Sequence, residues 1–362
     1  MGKTLSFLVK RWKLVLNIAT VVALLILLYF IRGDLETTFR NLLRVNGWAL
    51  VLMVPFEALN YHYQTKLYQR LFEIVGNKFN YSHLLKASLE LNFVNHVFPS
   101  GGIAGISYFS LRLRDKEITG AKASMVQFMK LLLTIFSFEI LVFVSIFFLA
   151  MGGKVNSFTM LVASVLSTLL LVGSALFIYI IGNRQRINSF LSYITVRLNK
   201  LISLVPTAKK EVIDIGKARL VFDDFHDTFA EMRRDRSRML QPLVNALLLN
   251  ITEVAVVYSV FVAFGHFVNP GAVILAYGLA NFAGFISVLP GGVGIYETLM
   301  IAVLLATGVP TDLSLPVIIM YRVLNTLIQL PAGYYFYQKY ISQHGKPPKP
   351  TEYYEGNSRS IG

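Results

Sequence analysis

Glu57, Lys130, Glu253, Glu297 and Arg322 are ionisable side chains that stand inside otherwise apolar stretches of this sequence. A charged side chain at the middle of a bilayer costs about 2.5–3.5 kcal/mol on insertion scales, so each calls for a partner or a wet cavity. Polar neighbours recur at helical spacing. Asn60 and Gln64 follow Glu57, Asn250 precedes Glu253, Gln127 and Thr134 flank Lys130, and Asn325 and Gln329 follow Arg322. In a shared cavity the cations would hold a phosphate. The carboxylates would hold a cationic head group or carry a proton. A plainer reading keeps Glu297 with Arg322, or Glu57 with Lys130, as buried ion pairs that only fix helix register.

Two glycine breaks stand between these groups. Asn92, Asn95 and Pro99-Ser100-Gly101-Gly102 mark the first; Asn281 and Pro290-Gly291-Gly292 mark the second. Lys130 follows Gly102 by 28 residues and Arg322 follows Gly292 by 30. Apolar segments interrupted at matching places in two halves point to a binding site built from discontinuous helices. Half-helix N-termini at the breaks would offer free N–H groups and partial positive charge to an anion. Glu90 and His96 precede the first break, Arg112 closes its segment, and Tyr108, Tyr296 and Tyr321 add neutral hydrogen-bonding groups.

The elements that must position these residues are membrane helices. The chain of 362 residues is 55% hydrophobic and 15% charged, with mean hydropathy +0.57, whereas soluble domains run near 25% charged. A span needs about 20 mostly apolar residues. Full spans are expected at 14–31, 47–64, 122–150, 157–182, 242–266 and 313–338. The segments 83–113 and 271–308 each have two arms too short or polar for a crossing and read as re-entrant helical hairpins. Such backbone is tolerated only where protein or water surrounds it. The expected fold is therefore all-α and integral to the membrane: six full spans plus two re-entrant hairpins, in two inverted repeats. Repeat 1 covers about 10–150 and repeat 2 about 157–340, a single polytopic domain over 1–340. The basic flank and apolar run at 14–31 lack a small-residue cleavage site and read as a retained span. The tail 341–362, polar and proline-rich, reads as disordered.

Charge fixes the expected orientation. With the N-terminus in the cytoplasm and each hairpin returning to its own side, 28 of the 34 Lys and Arg are cytoplasmic and four are outside. That asymmetry follows the positive-inside rule and places both termini in the cytoplasm. It also explains the net charge of +14 without nucleic acid, for which no motif is present. The linker 183–240 carries an apolar stripe of Phe222, Phe225, Phe229 and Met232, the pattern of an amphipathic helix lying on the membrane or covering the bundle. Cysteine is absent. His62, His96 and His266 lack ligand spacing, so no metal is expected. No phosphate-binding Gly-rich loop or nucleophile elbow appears, so no cofactor and no direct use of ATP are expected.

At this point the residues resemble a known family. Asn92-x-x-Asn95-x-x-x-Pro99-Ser100-Gly101-Gly102-x-x-Gly105 with Arg112 is similar to its first signature. Leu289-Pro290-Gly291-Gly292-x-Gly294-x-x-Glu297, then Arg322 and Leu330-Pro331-x-Gly333, is similar to its second. The family is the flippase-like membrane domain of lysylphosphatidylglycerol synthases, and the likeness covers about residues 10–340. It implies a multi-pass protein of the prokaryotic cytoplasmic membrane that moves a lipid between leaflets, with membrane lipids as substrate and a homodimer as the implied assembly. The synthases' soluble aminoacyltransferase domain has no counterpart here, so the chain reads as a stand-alone member.

The expected function is a lipid flippase, not an enzyme. It would move a phospholipid, an aminoacylated lipid or a polyprenyl-phosphate-linked lipid through a polar cavity between the repeats. The expected substrate-binding set is Glu57, Asn92, Asn95, Gly101, Gly102, Arg112, Lys130, Glu253, Asn281, Gly291, Gly292, Glu297, Arg322 and Asn325. Two other classes compete: a proton- or sodium-coupled carrier of a small anionic metabolite, and a membrane-embedded lipid-modifying enzyme with Glu253 or Glu297 as base.

Overall fold

A computed structural model describes residues 45–98, 103–113, 118–202, 215–234, 236–286 and 294–343, with isolated positions between 22 and 41. Every regular element among the described residues is helical. The expected first span (14–31), both glycine pairs (Gly101, Gly102, Gly291 and Gly292) and residues beyond 343 lie outside the described set.

The short helix α1 (Gly47–Val51) leads into α2 (Met53–Ile74). A single span at 47–64 was expected; the helix instead breaks at Leu52 and runs ten residues further. Pro55 is tolerated in the first turn, where its missing N–H would be unpaired anyway. Beyond residue 64 the helix continues because one face buries Leu67, Tyr68, Leu71 and Phe72 while Lys66, Arg70 and Glu73 face outward. Average hydropathy hides such a one-sided pattern.

The first expected hairpin is α3 (Tyr81–Val97) and α4 (Ile103–Leu113). Tyr108 Oη donates to Glu90 at 2.9 Å, and Arg112 Nε donates to Glu90 at 2.7 Å. Gly105 faces Asn95 closely enough that a β-carbon there would clash with its side chain, so contacts step back along α3 as α4 advances and the arms are antiparallel. At 17 and 11 residues the arms reach about 25 and 17 Å, short of a hydrocarbon core of about 30 Å.

α5 (Gly120–Met151) and α6 (Ser157–Ile181) follow. The Asn156 side chain caps α6 by accepting from Thr159 N at 2.9 Å, while Thr159 Oγ1 accepts from Asn156 N at 2.9 Å. α7 (Arg184–Ile202) and α8 (Ile215–Arg234) pack together through Arg184 with Asp227 (2.5 Å) and Asn188 with Asp223 (2.9 Å). Phe229 and Met232 of the expected stripe are buried against α5, so α8 covers the bundle. The second half contains α9 (Leu240–Ala263), the pair α10 (Pro270–Ile286) and α11 (Ile295–Ala306), and α12 (Thr311–Gln343). α12 runs three residues into the expected tail. α5, α6, α9 with its preceding turn, and α12 are long and apolar enough to cross a membrane.

α2 lies along α9 over the most extensive interface in the bundle. Around it, α3 packs on α12, and α10 packs on α5. The two short pairs enter from opposite ends. Lys122, at the start of α5, donates to the Val75 carbonyl at 3.2 Å, between the end of α2 and the start of α3. The start of α10 instead meets the end of α5, where Asn269 donates to the Phe148 carbonyl at 2.8 Å. Between residues 45 and 343 the loops at the α10 end carry Lys154 as their one described cation, whereas the α3 end gathers Lys78, Lys86, Lys122, Lys339 and the cations of α7 and α8.

Both packings between the halves depend on a glycine. A β-carbon on Gly333 of α12 would stand 2.7 Å from the Leu89 carbonyl oxygen and 2.6 Å from Phe93 Cβ on α3. One on Gly271 of α10 would run into the Ser145 carbonyl of α5 and lie 3.1 Å from Leu149 Cγ. Glycine to alanine in a helix otherwise stabilises by about 0.8–1.0 kcal/mol. Gly333→Ala and Gly271→Ala are therefore expected to reverse that sign and lose about 1–3 kcal/mol, read as a lowered Tm in detergent. Gly173→Ala in α6, where nothing lies within 4 Å of the new carbon, should leave Tm unchanged or raise it.

Candidate functional site

A cavity of about 390 Å³ lies among α2, α3, α5, α6, α9, α10 and α12. Its lining is mixed. The polar part comes from Asn60 and Gln64 of α2, Asn92, Asn95 and His96 of α3, Lys130 and Thr134 of α5, Asn250 and Glu253 of α9, Tyr277 and Asn281 of α10, and Tyr321, Asn325 and Gln329 of α12. The apolar part comes from Leu131, Ile135 and Phe138 of α5, Leu166 and Leu170 of α6, Leu249 of α9 and Phe282 of α10, and α6 contributes apolar residues alone.

Most polar groups in the wall tie helices together. Asn60 Nδ2 donates to the Leu249 carbonyl (3.1 Å) and to Thr252 Oγ1 (3.2 Å), joining α2 to α9. Asn250 Nδ2 donates to Ser137 Oγ (2.7 Å), joining α9 to α5. Gln64 and Asn92 pair their amides at 3.3 Å, and Tyr277 Oη donates to Glu253 at 3.2 Å. Gln329 Nε2 donates to Glu57 Oε2 at 3.2 Å. Several buried atoms are left over: Glu57 Oε1, Tyr61 Oη, Gln127 Nε2 and Gln329 Oε1 have no hydrogen-bond partner. Of these residues Gln329 lines the chamber and the other three do not; a buried polar atom without a partner costs about 1–3 kcal/mol, so Gln329 Oε1 favours water or a polar ligand there. Lys130 makes no ion pair or hydrogen bond among the described residues, and its Nζ stands 5.7 Å from the centre of the Tyr68 ring. The Glu57–Lys130 ion pair of the plainer reading is not formed.

The other pair of that reading is. Arg322 Nη1 bonds Glu297 Oε1, and the guanidinium lies 5.0 Å over the Tyr296 ring. Gly294 starts α11 at φ +89°, a conformation natural to glycine. Its N–H donates to Glu297 Oε2 at 2.6 Å. Glu297 thus caps its own helix, and the chain's carboxylate occupies the N-terminus that was expected to receive a substrate anion.

Six of the expected site residues line the chamber: Asn92, Asn95, Lys130, Glu253, Asn281 and Asn325. Glu57, only 1% exposed, sits behind Gln329. Glu297 and Arg322 stand off the wall. Arg112 lines a different cavity near the start of α3, paired with Glu90. Tyr277 was not expected in the lining; a tyrosine in an apolar helix carries no sequence signal that separates core from chamber. Glu139 was also missed, although an acid within the apolar α5 was a visible signal. It is 5% exposed, and neither carboxylate oxygen has a hydrogen-bond partner. No group of three His, Asp or Glu among the described residues could hold a metal ion.

A helical membrane bundle around a chamber of mixed polar and apolar lining defines a class of membrane protein, and the comparisons place the chain within it. Residues 14–333 match the family of the lysylphosphatidylglycerol synthase TM region, and the chain belongs to that family. A UPF0104 membrane protein of Methanothermobacter thermautotrophicus is 33% identical over 98 residues, 27% of this chain and 29% of that one. A UPF0104 membrane protein of Pyrococcus horikoshii is 26% identical over 110 residues, 30% of this chain and 33% of that one. The chain thus spans about a third or less of the curated relatives it matches. No solved structure matches it.

An apolar replacement of a buried, unbonded polar group removes its desolvation cost. Glu139→Leu is expected to stabilise the bundle by about 1–3 kcal/mol, read as a raised Tm in detergent.

Proposed function

We propose that this protein carries a phosphate-bearing lipid between the leaflets of the cytoplasmic membrane, with the head group passing through the central chamber. The observation that carries the reading is Lys130: a cation without an ion-pair partner among the described residues, in a chamber lined by polar groups together with apolar side chains of α5 and α6. Bringing a charged head group into hydrocarbon is costly unless its charge is met and hydrogen-bonded. Lys130 supplies the charge, the surrounding amides and tyrosines supply hydrogen bonds, and the apolar part of the lining suits acyl chains.

The packing pattern supports alternating access. Exchanging the halves maps α3 on α12 onto α10 on α5, and the two short pairs enter from opposite ends. That is the arrangement of an inverted repeat, in which one half rocks against the other around a fixed site. The basic end faces the cytoplasm in this reading.

The test is reconstitution in vesicles carrying a head-group-labelled phosphatidylglycerol in both leaflets, with an impermeant quencher outside. Wild-type protein should expose the inner-leaflet label far faster than empty vesicles, and Lys130→Met should lose that rate at least tenfold with Tm unchanged. Glu297→Ala and Arg322→Ala should each abolish movement while membrane insertion is retained. Wild-type rates in Lys130→Met would refute the chamber as the route. Uptake of a water-soluble anion without lipid movement would point to a metabolite carrier instead.

A further inference from the structure

A second cavity, of about 540 Å³, opens at the basic end between the start of α3 and the end of α12. It shares no lining residue with the central chamber, although Lys86 and Asn92 stand only about 9 Å apart along α3. Its volume falls within the range of small-ligand sites.

The floor of this cavity is rigid. The Arg112 side chain is nine-tenths buried, donates through Nε to Glu90 at 2.7 Å, and lies 4.5 Å over the Tyr340 ring. Glu90 also accepts from Tyr108 at 2.9 Å, so its charge is committed within the hairpin. The rim differs. Lys78, Lys86 and Lys339 line the cavity, are exposed, and form no ion pair among the described residues. Among the described residues Glu90 is the one carboxylate in the lining, so there four cations face one acid and an excess of three positive charges remains. Lys86 Nζ stands 5.9 Å from the centre of the Phe336 ring in the same lining, and like charges gathered around one cavity repel one another unless an anion is bound. The N-terminus of α3 adds partial positive charge from the same side, with Asn80 and Ser82 both in the wall.

We infer that this cavity is a binding site for a phosphate-bearing anion, held by Lys78, Lys86 and Lys339 above the Arg112 floor. Two sources share that chemistry: the phosphodiester of an anionic lipid at the membrane surface, and free phosphate from solution. The site is separate from the central chamber, and its occupancy is read by binding, independent of transport.

The test uses the full chain in phosphatidylcholine nanodiscs. Inorganic phosphate is titrated by calorimetry. In parallel, discs doped with phosphatidylglycerol are extracted, and the lipid retained on the protein is counted by native mass spectrometry. Lys86→Gln/Lys339→Gln removes two exposed charges and should weaken binding on the order of tenfold or more. Lys78→Gln/Lys86→Gln serves if the first variant unfolds. Lost phosphate affinity assigns the site to a soluble ligand. Lost phosphatidylglycerol retention without phosphate binding in the wild type assigns it to a lipid head group. Retention of either in Lys130→Met separates this site from the chamber. Equal binding by variant and wild type in both arms, or no binding by wild type in either, overturns the inference.

Discussion

The constraint behind this structure is that polar side chains cannot be left facing hydrocarbon, and the chain places many of them within its membrane helices. Each must meet another protein group, water or a ligand. Asn60, Asn250, Gln64 and Tyr277 meet protein groups, and in doing so they join α2 to α9, α9 to α5, α2 to α3 and α10 to α9. The bundle and its chamber are therefore one construction. The amides that fix the helices are also part of the chamber lining, and Gln329 Oε1 is left there without a hydrogen-bond partner.

The charges sort into two groups under the same rule. Glu90 with Arg112, and Glu297 with Arg322, are neutralised pairs that brace the short helices. The first zips the arms of α3 and α4; the second ties α11 to α12 while Glu297 also caps α11. A buried pair of this kind adds little net stability but is costly to break on one side, which suits a bracing role. Lys130 and Glu253 are different: both face the chamber, with no ion pair between them. Opposite charges that share a cavity without a direct ion pair leave room for a ligand between them.

Much of this was legible in the sequence, for identifiable reasons. α5, α6, α9 and α12 are apolar around most of their circumference, and hydropathy placed their ends within a few residues, except that α12 runs on to Gln343. α2 was misplaced because only one face is buried and part of that face is polar. Asn92, Asn95, Lys130, Glu253, Asn281 and Asn325 were legible because a polar residue in an apolar helix needs a reason. Partnership was not. Periodicity tells which face a residue occupies, not which helix stands opposite, so a Glu57–Lys130 pair stayed open as an alternative when Gln329 is the group bonded to Glu57. Arg112 was assigned to the chamber from its place after the first break, but the antiparallel return of α4 carries it back to Glu90 near the basic end.

The same geometry indicates where a lipid would have to enter. Leu166 and Leu170 of α6 line the chamber, while Val165, Leu169 and Val172 on the same helix face outward. α6 is therefore a single layer between chamber and bilayer. It is also the least embedded of the apolar spans, with 28% of its span buried against 61% for the span that includes α9. Elements with few buried contacts open at the lowest free-energy cost. In the transport reading, displacement of α6 exposes the apolar part of the lining to acyl chains while the polar part, pinned by hydrogen bonds between α2, α5 and α9, keeps its shape. Stability and passage are thus assigned to different helices: the interface of α2 with α9 holds the bundle, and the thin wall at α6 gives way.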